Sequence, residues 1–585
     1  MPLEFGFSAP SADDAAVNER LDTLTRERFV ERLWAGNATL WTRDPAGQAA
    51  VRDGLGWLRA PQVMTAALDD LRGVAAAAEQ AGYRQVLHMG MGGSSLAPLV
   101  FARTFPPADR RPATMKLDQA GGLRLSVLDT TDPATILAED RWAAGAPTLF
   151  IVASKSGTTA EPLAFGEYFY AKRRDAAGER AGEDFLAITD AGTPLAKQAN
   201  ERHYRRVFTN AADVGGRYSA LTYFGLVPAV LAGVDVARLL ERARGMAEAC
   251  GPWNPPGRNP GTRLGAIMGE LARRGRDKVT FVVSEPVATL GTWLEQLLAE
   301  STGKQGTGLL PVADEPLGEA GAYGADRLFV HLRRRGDTGG PIEDRLRALR
   351  SAGHPVVTVE MSDTLDIAAE FFRWEIATAT AGAILGINAF DQPNVQESKD
   401  NTNRLLDVVR RERRLPEPAP SQADGALALY ADAPEANVAA TLARFFGAGR
   451  PGGYVALLAY LTETPETHRR LTAIRARLRD TTRLASTLGY GPRYLHSTGQ
   501  YHKGGPSNGL FLLITADETE DAAVPGQPYT FGVFKRAQAL GDLEALHRHG
   551  QRAVRVHLRG PVDAALDRLE HLTAAALAAV GFPAT

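Results

Sequence analysis

The chain has 585 residues, 44% hydrophobic and 23% charged, and its 66 basic and 68 acidic side chains give a formal charge of −2. That length exceeds what one hydrophobic core fills and predicts several domains, while the composition excludes a disordered chain, a collagen-like fibre and a disulfide scaffold. A charge near zero supplies no global field for nucleic acid or an anionic membrane, so neither partner is expected. One cysteine, Cys250, cannot build an internal disulfide or a thiolate cluster. Met1 to Gly6 lacks the order of a secretory signal, and no apolar run reaches the roughly 18 residues of a membrane span; a cytoplasmic protein is expected. Only nine of the basic residues are lysine, and four of them, Lys155, Lys304, Lys399 and Lys503, fall in the motifs below.

Residues 1–80 carry apolar positions at helical spacing, in Val17 to Trp34 and Val63 to Ala78, and read as a helical region. Over 81–250, short apolar runs alternate with amphipathic stretches. The runs are Val86 to Met89, Leu123 to Leu128, Thr148 to Ala153, Phe185 to Thr189 and Arg206 to Thr209, and the alternation predicts a doubly wound parallel sheet. Pro252 to Pro260 reads as a linker. Residues 261–413 repeat the pattern at Val279 to Ser284, Leu328 to Leu332 and Val356 to Met361, then enter a long helix from Ile367 to Leu385. A second linker, Arg414 to Asp424, leads to a third α/β portion over 425–585. It is expected to hold a strand at Tyr454 to Tyr460, a helix at Pro465 to Leu488, and strands at Leu510 to Thr515 and Val554 to Leu558.

Two segments that follow strands carry ligand chemistry. His88-Met-Gly-Met-Gly-Gly-Ser-Ser-Leu-Ala-Pro98 is a turn in which Gly92 and Gly93 let backbone amides approach a ligand, ahead of a helix start that favours an anion. A dinucleotide fingerprint would place a third glycine where Ser95 stands and an acid about 20 positions on; Asp129 is nearer twice that distance. The hydroxyls of Ser94 and Ser95 suit a single phosphate better. Ala153-Ser-Lys-Ser-Gly-Thr-Thr-Ala-Glu161 sets Ser154, Lys155, Ser156, Thr158 and Thr159 at another helix start. An N-cap needs one hydroxyl, so the surplus points to a phosphate monoester held without metal.

Strand-GMGGSS and SKSGTT resemble the sugar-isomerase (SIS-type) domains that bind phosphosugars. Gly215-Gly-Arg-Tyr-Ser219, Gln296-Leu-Leu-Ala-Glu-Ser-Thr-Gly-Lys304 and Phe390-Asp-Gln-Pro-Asn-Val-Gln-Glu-Ser-Lys399 narrow the resemblance to glucose-6-phosphate isomerases. The wording after Phe390 is most similar to the isomerase half of transaldolase fusions, with nothing resembling the transaldolase half. The resemblance implies an α/β fold of two SIS-type doubly wound domains, with the C-terminal portion completing or replacing part of the second. It also implies glucose 6-phosphate and fructose 6-phosphate as substrates, no metal and no organic cofactor. Glu300 is then the base that moves a proton between C1 and C2, and Arg217 stabilises the enediolate. Lys399 and a histidine assist ring opening, Gln296 and Gln392 position the sugar, and Ser94, Ser154, Ser156 and Thr159 hold the phosphate with Lys155 as an added cation.

The histidine departs from the family pattern. The interval between Lys304 and Phe390 contains only His331, in an apolar strand pattern, and His354, before a strand. The matching context comes later, in Tyr494-Leu-His-Ser-Thr-Gly-Gln-Tyr-His-Lys-Gly-Gly-Pro506, which makes His496 the expected residue and His502 the second choice. A homodimer is compatible with the resemblance, and whether His496 serves its own or a partner's site is left open. His547 and His549 lack an acidic partner in sequence and read as surface residues. A regulatory phosphosugar-binding protein is the alternative; it would not need Glu300, Arg217 and Lys399 together.

Overall fold

The computed structural model describes residues 5–106, 122–337 and 340–580. The first four residues, on which part of the N-terminal reading rests, lie outside them. Strand β1 (Phe5–Ser8) precedes a series of helices that ends at Gln80. Then β2 (Gln85–Met89), β3 (Arg124–Leu128), β4 (Thr148–Ala153), β5 (Phe185–Asp190) and β6 (Arg206–Asn210) form an all-parallel sheet in the order β3-β2-β4-β5-β6. Every residue of β2 and β4 is buried, which is why both read as mostly apolar runs rather than alternating ones. From β2 the chain turns to β3 on one side, then crosses to β4 on the other. Their carboxyl ends therefore flank a crevice, the usual ligand position in such sheets.

A second sheet contains β7 (Lys278–Val283), β8 (Leu310–Val312), β9 (Arg327–Arg334) and β10 (Val356–Met361), parallel in the order β10-β9-β7-β8, with β1 antiparallel on the outer edge of β10. The N-terminal region is thus helical apart from one strand that closes this edge.

The remaining strands are β11 (Gln422–Asp424), β12 (Leu427–Tyr430), β13 (Tyr454–Tyr460), β14 (Ala485–Tyr490), β15 (Gly509–Ala516) and β16 (Arg552–Leu558). They make a six-stranded sheet of their own, ordered β11-β12-β16-β15-β13-β14, and add no strand to the second sheet. Strand β14 begins inside the segment expected to be helical. The helix Pro465–Thr482 stops where Arg483 takes a left-handed conformation, φ 59°, and the apolar rhythm continues in an extended chain.

Packing ties the units together. One core joins the N-terminal helices to both of the first two sheets, running from Val17 to Ala389. The third sheet has its own core on one face. On its other side Tyr454, Tyr494, Tyr501 and Phe511 pack with Ala299 and Val312 of the second unit. Phe531, Phe534 and Leu540 meet Leu405, Leu406, Phe165 and Tyr168 in a shared cluster. Burial of this kind, roughly 25 cal/mol per Å² of apolar surface, binds the third unit to both others. No helix among the described residues is long and apolar enough to cross a membrane.

Candidate active site

The turn after β2 and the turn carrying Arg217 touch backbone to backbone. A Cβ on Gly93 would lie 2.1 Å from the Gly216 carbonyl oxygen. At Gly92, with φ +53°, a Cβ would lie 2.8 Å from Gln296 Nε2 and 2.9 Å from His496 Cβ. These two glycines therefore admit three chain segments to one point. The side chain of Ser94 is buried, and its carbonyl oxygen accepts from His88 Nε2 at 2.6 Å. Burial pushes the His88 imidazole down to about 4, so it stays neutral and serves the turn.

Gln296 and Glu300 sit four residues apart on the helix Leu290–Thr302, which places them on one face. Gln296 Nε2 donates to Glu300 Oε2 at 3.0 Å and to the His496 carbonyl at 2.8 Å. Arg217 Nη1 stands 3.6 Å from Glu300 Oε1. The guanidinium is 4% exposed and closely held. Its Nε donates to Ser301 Oγ at 2.7 Å, Nη1 to Gln392 Oε1 at 2.9 Å, and Nη2 to the carbonyls of Ala389 and Asp391 at 2.7 and 3.0 Å. Lys304 fastens the same loop, with Nζ donating to Asn388 O at 2.7 Å and Asp391 Oδ1 at 2.7 Å. Burial and the neighbouring Arg217 charge push its ammonium down to about 8. Its contacts give Lys304 a structural task.

The phosphate loop follows β4. Ser154 Oγ donates to Thr159 Oγ1 at 3.0 Å, and Ser156 Oγ bonds Thr158 Oγ1 at 2.9 Å. Ser156 and Thr158 are exposed at the start of the helix Ala160–Ala177, where hydroxyls and free backbone amides suit an anion. Lys155 differs from expectation: its ammonium is paired with Asp190 and also donates to the Ala212 carbonyl at 3.1 Å. Its charge is thereby largely offset.

His496 and His502 lie in very different surroundings. His496 Nε2 is 3.0 Å from Glu161 Oε1. A carboxylate only accepts, so Nε2 carries a proton and Nδ1 is left for exchange. Burial alone would raise the Glu161 carboxyl; the charge and hydrogen bond of His496, a backbone N–H and the charge of Lys399 together hold it below the usual range. The charge of Lys399, exposed on the helix Val395–Glu412, thus acts on the same carboxylate. His502 is 1% exposed, its ring nitrogens have no partner, and it is packed among Tyr454, Tyr494 and Phe511. Burial pushes it down to about 3. It is a core residue. His331 is likewise buried in β9, and His354 packs on Phe329.

Glu300, Arg217 and His496 therefore come together around Gln296, and His496 reaches Gln296 and Glu161 from within the same chain. Glu161 closes the SKSGTT segment, and its task could have been suspected from an acid directly behind a hydroxyl-rich loop. Arg493, which grips Asp129 at the end of β3 through two bonds of 2.8 and 2.9 Å, carried no signal in the sequence. Among the described residues no three His, Cys, Asp or Glu side chains come together as a metal-ligand set.

Paired doubly wound sheets with a hydroxyl loop, a buried carboxylate and a fixed arginine at the crevice define a protein of the sugar-isomerase class. Residues 68–309 match the phosphoglucose isomerase family. The glucose-6-phosphate isomerase of Rubrobacter xylanophilus is 30% identical over a 363-residue alignment that covers 54% of this chain and 81% of that protein. That of Leptospira biflexa is 26% identical over 444 residues, 69% of this chain and 97% of its own. The fold is shared with a crystal structure of a glucose-6-phosphate isomerase from Chlamydia trachomatis, at TM-score 0.50 and 18% identity, covering 69% of this chain and 89% of that one. It is shared also with a Thermus thermophilus protein described as hypothetical, at TM-score 0.56 and 24% identity, covering 69% and 100%. The chain belongs to the phosphoglucose isomerase family.

Proposed function

We infer that the protein interconverts glucose 6-phosphate and fructose 6-phosphate. The observation that carries this reading is the Gln296 amide, which bonds Glu300 at 3.0 Å and the His496 backbone at 2.8 Å and so joins two kinds of acid–base group in one cleft.

Ring opening comes first. The anomeric hydroxyl gives up its proton, the bond from the anomeric carbon to O5 breaks, and O5 gains a proton. His496 and Lys399 share these two transfers, with His496 acting through Nδ1 because Nε2 keeps its proton toward Glu161. Glu300 then takes the proton from C2 of the aldose, an enediolate forms, a proton passes from O2 to O1, and the same carboxyl returns the carbon-bound proton to C1. Arg217 stabilises the enediolate charge; four of its five N–H groups are committed to protein oxygens, so it needs no rearrangement as charge develops. Ser154, Ser156, Thr158 and Thr159 hold the phosphate, and Gln296 and Gln392 orient the sugar. The reaction is expected to need no metal. A homodimeric assembly and a cytoplasmic location complete the proposal.

The test is conversion of fructose 6-phosphate to glucose 6-phosphate in the presence of a chelator. Wild type should turn over, and Glu300→Gln should lose roughly a thousandfold or more in kcat, within the range for a lost acid–base group. Folded wild type that binds phosphosugar without turning it over would make the protein a sensor.

A further inference from the structure

Behind Glu161 lies a residue that the reaction scheme does not use. Gln538, 2% exposed on the helix Phe531–Arg548 of the third unit, donates from Nε2 to Glu161 Oε1 at 2.7 Å. Thr131, fully buried in the loop after β3, donates from its hydroxyl to Gln538 Oε1 at 2.7 Å. With Thr131 on its oxygen, Gln538 presents its NH2 to the carboxylate; the reverse orientation would set two acceptors against each other. His496 Nε2 and Gln538 Nε2 therefore share one oxygen of Glu161, one per lone pair.

We propose that Gln538 is a positioning residue for ring opening, fixing the Glu161 carboxylate that holds the proton of His496. This rests on the isomerase reading above and deepens it. Without Gln538 the carboxylate loses a donor, becomes more basic, and is free to turn away from His496 or to take its Nε2 proton. Either change costs His496 the arrangement in which only Nδ1 exchanges with the sugar. The groups that face Glu161 are His496, Lys399, Tyr460 and Gln538, drawn from four separate segments. The same helix also holds the segment bearing Lys399. Asp542 Oδ1 accepts from Ser398 Oγ at 3.2 Å, the Gly541 carbonyl accepts from Asn401 Nδ2 at 3.1 Å, and Arg404 pairs with Glu544. One helix thus steadies both members of the ring-opening pair. Neither Glu300 nor Arg217 has a hydrogen bond to it.

The test compares two substrates. Fructose 6-phosphate closes through its C5 hydroxyl, whereas 5-deoxyfructose 6-phosphate lacks that hydroxyl and stays open-chain. Gln538→Met keeps the length and removes the donor. It should lower kcat on fructose 6-phosphate about ten- to a hundredfold, consistent with impaired general acid–base catalysis, and lower open-chain turnover no more than about twofold. Loss of a donor to the ionised form raises the Glu161 pKa, so the acid limb of the kcat profile should move to higher pH. Thr131→Val, which frees the amide to flip, should give the same substrate split at smaller amplitude, and it serves if Gln538→Met does not fold. Equal losses on both substrates, or full activity in both variants, would overturn the proposal. Wild type inactive on both substrates would break the isomerase reading instead.

Discussion

The groups proposed for proton transfer and those proposed for ring opening are held by different parts of the chain. Glu300, Gln296 and Arg217 belong to the first two units, whose single core runs from Val17 to Ala389. His496 and Gln538 belong to the third unit, and Lys399 rides on a helix packed against it. Rigidity also differs. Arg217 is bound by four short hydrogen bonds within the first two units, whereas His496 is placed by contacts that cross from one unit to another. On the proposed mechanism, the two chemical steps should therefore be open to separate damage.

The sharpest break of this comparison sets Glu300→Gln against His496→Ala. Glu300→Gln should abolish turnover of closed and open-chain ketose alike. His496→Ala should cost roughly a hundredfold on fructose 6-phosphate and much less on the 5-deoxy analogue, measured by steady-state kinetics on both. Equal losses from His496→Ala would mean that the third unit takes part in proton transfer as well.

A smaller effect is expected at the seam. Arg493 joins Asp129 of the first unit to Glu463 of the third, with Asp129 2% exposed. Arg493→Met leaves that carboxylate buried without its cation, a loss of about 3 kcal/mol by analogy with other broken buried pairs. Denaturant unfolding should record it, and because Tyr494 to His496 follow directly, turnover of the closed substrate should fall more than that of the open one.

The smallest effect on turnover separates the two histidines of one motif. His502 is neutral in the fold, pushed down to about 3, whereas an unfolded chain takes up the proton near pH 6.5. Its contribution to stability is complete above that value and declines as pH falls from about 6.5 toward 3, by at most about 1.4 kcal/mol per pH unit. His502→Phe should flatten the decline of Tm with acid and leave turnover of fructose 6-phosphate in place.

The first sheet was legible because β2 and β4 are buried throughout, read as short, mostly apolar runs and end in glycine- and hydroxyl-rich turns. The meeting of Glu300 and Arg217 was legible because each lies in a local motif. The place of His496 beside Glu161 is one that its Leu-His-Ser-x-Gly-Gln context pointed to, although that context follows Phe390. The rest depends on distance in sequence. Glu161 and Gln538 are 377 positions apart, and no local pattern announces such a pair. Lys155 looked free beside its hydroxyls because its partner, Asp190, comes one strand later. Strand β14 was hidden by a helical rhythm that ran past Arg483, where a left-handed residue ends the helix. The short β8, β11 and β12 offer too few residues for any periodicity to register.

The contact between Gly93 and Gly216 is not symmetric. A side chain on Gly93 collides with backbone, while a Cβ on Gly216 meets nothing within 4 Å. Two glycines that face each other thus differ in how much variation they tolerate. In a saturation library selected for sugar-phosphate growth, Gly93 should accept no replacement and Gly216 several. The heritable constraint on that contact is written almost entirely in one codon.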